Sequence, residues 1–122
     1  MNFLAPLAPH AHWAVRLSLA ATFIYHGILK LPVPAAGAMG MSAAMVWAIA
    51  LAEIIAGVAL VGGSFGKEAL TRLGGLLVII IMIGAIGMVH FKNGWNVMNG
   101  GMEFQVLMLA AGLYFAARGN EV

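Results

Sequence analysis

Four long apolar stretches, broken by short segments rich in glycine, proline and asparagine, run through the 122 residues. Each approaches the roughly 20 residues that a helix needs to cross a hydrocarbon core about 30 Å thick. The pattern predicts spans at 13–31, 43–63, 69–91 and 102–118, the last at the short limit. Pro32 and Pro34 stop the first, and Gly62-Gly63-Ser64-Phe65-Gly66 separates the second from the third. Asn93-Gly94 and Asn99-Gly100-Gly101 bracket the last loop. Within lipid only helices close their backbone hydrogen bonds inside one segment, and four spans cannot close a membrane barrel. The expected fold is therefore all-α, an integral membrane four-helix bundle forming one domain over residues 1–122. Small residues at Ala48, Ala52 and Ala56, and at Gly84 and Gly87, are expected where helices touch.

Composition strengthens the membrane reading: 63% of residues are hydrophobic and 8% charged, far from a soluble domain. Cysteine and aspartate are both missing, which excludes disulfides, thiolate metal sites and Cys-x-x-Cys redox pairs. Any electron transfer would need a bound cofactor. The net charge of +2 comes without a basic run, which argues against nucleic acid as a partner. The opening MNFLAPLAPHAHW has no Lys or Arg before its apolar run and no small-residue cleavage site, so it is read as retained chain. Four spans put both termini on one side with the turn at 64–68. That side collects Arg16, Lys67, Arg72 and Arg118 against Lys30 and Lys92 opposite, which places the termini in the cytoplasm of a multi-pass inner-membrane protein. Trp13 and Trp95 suit the two interfaces.

The few polar residues inside the spans carry the candidate chemistry. A charge at the bilayer centre costs about 2.5–3.5 kcal/mol on insertion scales, so such residues should face a bundle interior or a wet cavity. At about 100° per residue, Arg16, His26 and Lys30 fall within an arc of roughly 80°, and Thr22 extends the stripe. Lys30 is near enough to the span's end to snorkel; His26 is deeper. Glu53 lies ten residues from either end of the second span, where a carboxyl must be neutral or paired with a cation. His90 closes the third span, and Glu103 opens the fourth, where a carboxylate also complements the helix dipole. Because Cβ atoms lean toward a helix's own amino terminus, His26, Lys30, Glu53, His90 and Glu103 are expected to converge on one layer in the outer half of the bilayer.

RLSLAATFIYHGILKL, AEIIAGVALVGG, a third span ending MVHF, and NGGMEFQVLMLAAGLYFAARG together resemble the DoxX family of small four-span membrane proteins. The resemblance marks Arg16, His26, Gly27, Lys30, Glu53, Gly57, His90 and Glu103. It implies a bacterial or archaeal inner-membrane protein, with some members serving as small subunits of quinone-linked oxidoreductases, notably of thiosulfate:quinone type. Without cysteines of its own, this chain would take electrons from another subunit or a soluble partner.

The function expected is a small inner-membrane subunit of a quinone-linked oxidoreductase that binds a quinone head group in the polar layer. His26, Lys30 and His90 would donate hydrogen bonds, Glu53 with His26 would handle protons, Glu103 would sit at the outer mouth, and Arg16 would join the binding set. Expected partners are membrane lipid and other membrane or redox subunits, or a homo-oligomer. The alternative is a non-catalytic accessory or assembly subunit whose polar layer only locks the bundle. His26, His90 and one glutamate could in principle ligate a divalent ion, but no local His-x-x-x-His motif supports a metal site. His10 and His12 read as solvated, and the nine methionines as packing.

Overall fold

The computed structural model describes residues 2–122. Its four α-helices are α1 (Ala11–Leu29), α2 (Ala43–Gly63), α3 (Glu68–Ala85) and α4 (Glu103–Arg118), and no β-strand occurs among the described residues. The breaks fall at the predicted residues, because the local chemistry there ends helices. Lys30 caps α1 two residues before Pro32. Ser42 opens α2 by accepting a hydrogen bond from the Met45 amide at 3.3 Å. Gly100 takes φ +73 to finish the turn at Val97–Asn99.

The third predicted span is interrupted. The α-helix stops at Ala85, continues as a π-helical turn over Ile86–His90 and ends in a 3-10 turn at Phe91–Asn93. A π turn bonds residue i to i+5, so the face carried by α3 slips before it reaches His90. The helical column Glu68–Asn93 spans 26 residues, and with the 21-residue α2 it makes two helices long and apolar enough to cross a membrane. The 16-residue α4 is too short by the same measure, and α1 is diluted by His12, Arg16 and His26.

Helices pack in chain order, α1 on α2, α2 on α3 and α3 on α4, while α1 and α4 touch only slightly. The buried core joins Leu19 and Phe23 of α1, Leu60 of α2, Val78 and Met82 of α3, and Phe115 of α4. Outward faces stay apolar, with Leu17, Leu51, Ile55, Leu73, Leu76, Ile83 and Leu113 all exposed. Glycine allows the close crossings: a Cβ on Gly57 would lie 2.7 Å from Ala20 O, and one on Gly75 would lie 2.6 Å from Gly112 O. Ala56 does sit in a crossing, against Gly74 of α3. The expectation that Gly84 and Gly87 mark contacts is corrected, since nothing lies within 4 Å of a Cβ at either.

At the end of the bundle that holds both termini, every carbonyl of two helix C-termini finds a donor. A helix leaves its last four carbonyls without intrahelical partners. In α2, Leu60 O takes Arg16, Val61 O takes Ser64, Gly62 O takes the Phe65 amide and Gly63 O takes the Lys67 amide and Asn120. In α4, Phe115 O takes the Gly119 amide, Ala116 O and Ala117 O take Arg72, and Arg118 O takes the Glu121 amide. Arginines from the helices running the other way thus close this end, where the helix dipoles also favour cations.

Candidate functional site

The other end of the bundle opens. α1 and α4 touch only slightly, and a cavity of about 600 Å³ lies between the helices toward the loop end, with Thr22, His26, Lys30, Glu53, His90 and Gln105 on its walls. Ala48, Ala52 and Gly84 line it too, so these small residues provide room for the cavity.

Glu53 and Lys30 form its centrepiece. Lys30 Nζ donates to Glu53 Oε2 at 2.7 Å and to His26 O at 3.2 Å. The two side chains are 17% and 8% exposed, so this is a mostly buried pair and Lys30 does not snorkel. Gly27 makes it possible: a Cβ there would lie 2.7 Å from Ala50 O and 3.2 Å from the Glu53 Cβ, so only glycine lets α2 approach this closely. An ammonium has three N–H groups, and two are spent here. The third N–H and Glu53 Oε1 form an adjacent donor and acceptor without protein partners among the described residues.

His26 is exposed and has no side-chain hydrogen bond among the described residues. Its ring meets Tyr25 edge-on at 5.6 Å. His26 and Lys30 also line a second cavity of about 420 Å³, beneath the loop carrying Pro32, Pro34 and Met39. His90 sits at the end of the π turn, with Nδ1 2.8 Å from Gly100 O.

Two expected members lie elsewhere. Arg16 is fully buried at the terminal end, where Nη1 donates to Leu60 O at 2.5 Å and to Thr71 Oγ1 at 3.0 Å, and Nη2 donates to Asn120 Oδ1 at 3.3 Å. Its guanidinium also stacks over Phe115 at 4.7 Å. Its place in the binding set is therefore corrected to a helix-capping role: Arg16 enters α1 more than two turns before His26, beside the α2 carbonyls. Glu103 is likewise off the cavity wall. Its Oε2 accepts from the Val97 amide at 3.3 Å and ties down the α3–α4 loop.

Sequence reasoning missed Thr71, Asn120 and Gln105. Thr71 donates to Asn120 Oδ1 at 2.7 Å, and Asn120 Nδ2 donates to Gly63 O at 2.9 Å, completing the set around Arg16. The signal available was a polar Asn directly after Gly119 at the chain's last turn. Gln105 lies two residues after Glu103 at the start of α4, and its Oε1 is buried without a partner among the described residues. Among the described residues, no three His, Cys, Asp or Glu side chains come together to hold a metal ion.

Apolar outward faces, helices able to cross a membrane, and a polar-edged cavity define a small all-helical protein suited to a lipid phase. The DoxX family profile matches residues 11–91, and the chain belongs to the DoxX family. Membership and the two long apolar helices point to a membrane protein. The matched segment includes Arg16, His26, Lys30, Glu53 and His90, and leaves Glu103 and α4 outside it. No curated protein and no solved structure shows significant similarity to the chain.

Proposed function

We propose that this chain is a multi-pass inner-membrane bundle whose cavity holds the head group of a lipid-soluble quinone, as a small subunit of a quinone-linked oxidoreductase. The observation that carries the reading is the Lys30–Glu53 pair on the wall of an apolar cavity of about 600 Å³. That volume is in the range of small-molecule pockets, which combine apolar walls with a few convergent polar groups. A buried ion pair is weak evidence for stability alone, because desolvation offsets much of its attraction. Its spare N–H and open carboxylate oxygen give a ligand carbonyl or hydroxyl something to bond. His26, reaching both cavities, is placed to pass protons between the ligand and the loop side. A bound quinone would supply the two-electron chemistry that a cysteine-free chain lacks. The open flank between α1 and α4 would admit a ligand directly from lipid, and the electron donor would come from a partner subunit.

The test is retention of quinone by protein purified in mild detergent. His26→Ala and Glu53→Gln are expected to lower quinone content per folded protein; unchanged content rejects the assignment. The Lys30–Glu53 bond also joins α1 to α2, which favours a second reading as an accessory subunit whose polar layer holds the bundle. Co-purification with redox subunits and no quinone in the isolated chain would select that reading.

A further inference from the structure

His90 occupies the last position of the π turn, lines the cavity and meets the carbonyl of Gly100 in the following loop. Nδ1 lies 2.8 Å from the carbonyl oxygen of Gly100. A carbonyl has no hydrogen to give, so the ring must donate, and Nδ1 carries the proton of the neutral imidazole. Asn93 Nδ2 donates to the same oxygen at 3.3 Å, holding the loop against the ring. Nε2 is left as a bare lone pair, and no protein group among the described residues bonds to it. His90 was expected to donate to a ligand, but its only N–H is already spent on Gly100.

We infer that His90 is a specificity-determining residue that makes the cavity prefer a ring hydroxyl to a ring carbonyl. Resting on the quinone-site reading, this means that the reduced, dihydroxy form is held more tightly than the oxidised form. A hydroxyl gives its hydrogen to Nε2. A carbonyl in the same place opposes one lone pair with another and leaves the nitrogen desolvated without a partner. At the Lys30–Glu53 edge the ligand meets a donor and an acceptor side by side, which serve either form. Discrimination therefore falls on His90, whose tautomer is set by a backbone carbonyl that no side-chain substitution removes.

The test titrates the full chain in mild detergent at about pH 8, above the ordinary range of histidine, with decyl-benzoquinone and, under argon, its hydroquinone. The hydroquinone is expected to bind about 3- to 10-fold more tightly, the worth of one hydrogen bond. Nitrogen NMR of labelled histidine should show the Nδ1-protonated ring, with the Nε2 signal shifting only when hydroquinone is added. His90→Asn keeps an N–H for Gly100 but has nothing reaching as far as Nε2. It is expected to fold and to bind both forms equally, which a role confined to tying the loop would not produce. Equal or tighter binding of the quinone by the unaltered chain, or an undiminished preference in His90→Asn, overturns this inference and leaves the quinone site standing. Binding of neither form overturns both.

Discussion

Arg16 on α1 reaches the carbonyl oxygen of Leu60 on α2 at 2.5 Å, and the same guanidinium holds Thr71 of α3 and Asn120 beyond α4. One side chain thus ties every helix of the bundle together at its terminal end, far from the cavity. A planar guanidinium with five N–H groups suits this task because its partners lie in different directions.

Removing that guanidinium should therefore cost stability and spare ligand binding. Arg16→Met leaves buried acceptors bare, at about 1–3 kcal/mol for each one that finds no substitute. The thermal midpoint in detergent is expected to fall clearly, with Arg16→Lys recovering only part, since an ammonium cannot span the same partners. Quinone content per folded molecule should not change. An unaltered midpoint would contradict the capping role.

The Lys30–Glu53 pair makes a different prediction. Lys30→Met strands a carboxylate that is 8% exposed, a loss of up to about 3–5 kcal/mol. Adding Glu53→Leu removes the stranded charge, so the double variant should be more stable than Lys30→Met alone. Denaturant unfolding of both single variants and the double decides it: simple additivity would mean that the two groups do not interact.

Two glycines on the membrane-facing helices should behave in opposite ways. At Gly57 a methyl group meets Ala20 O at 2.7 Å, a backbone atom that cannot turn aside, so Gly57→Ala is expected to destabilise by about 1–3 kcal/mol. At Gly84 a methyl group meets nothing within 4 Å, so Gly84→Ala should be neutral or gain up to about 1 kcal/mol of helix propensity. Gly84→Leu should then keep the fold while filling the cavity, and quinone content should drop. Equal melting points for the two alanine variants would show the Gly57 crossing to be looser than described.

Orientation is open to direct labelling, because the chain has no cysteine. Phe65 in the α2–α3 turn is 76% exposed and Met98 in the α3–α4 loop is 87% exposed. The proposed placement of the termini in the cytoplasm predicts that a membrane-impermeant thiol reagent added to intact cells modifies Met98→Cys and spares Phe65→Cys. The reverse pattern would invert the protein.

The sequence by itself determined four helices, their breaks and the polar residues worth asking about. Those depend on local properties: apolar runs of span length, Pro and Gly at the joints, and the cost of a charge in hydrocarbon, which singled out His26, Lys30 and Glu53. That His26 and Lys30 share a cavity wall was legible because helical periodicity fixes the angles of neighbours on one helix, whereas Glu53 reaches the same wall from α2 through packing.

Only the tertiary structure decided which polar groups are consumed by the fold. Arg16 shares the angular stripe of His26 and Lys30, yet neighbouring helix ends offer it carbonyls, and periodicity carries no information about partners on other helices. Glu103 was claimed by the Val97 amide, which depends on how the α3–α4 loop folds back. The π turn changed the phase of His90, and a carbonyl ten residues onward fixed its tautomer. Gly84 lines a cavity while α1 and α4 touch only slightly, and how closely two helices far apart in the chain approach is set by packing across the whole bundle.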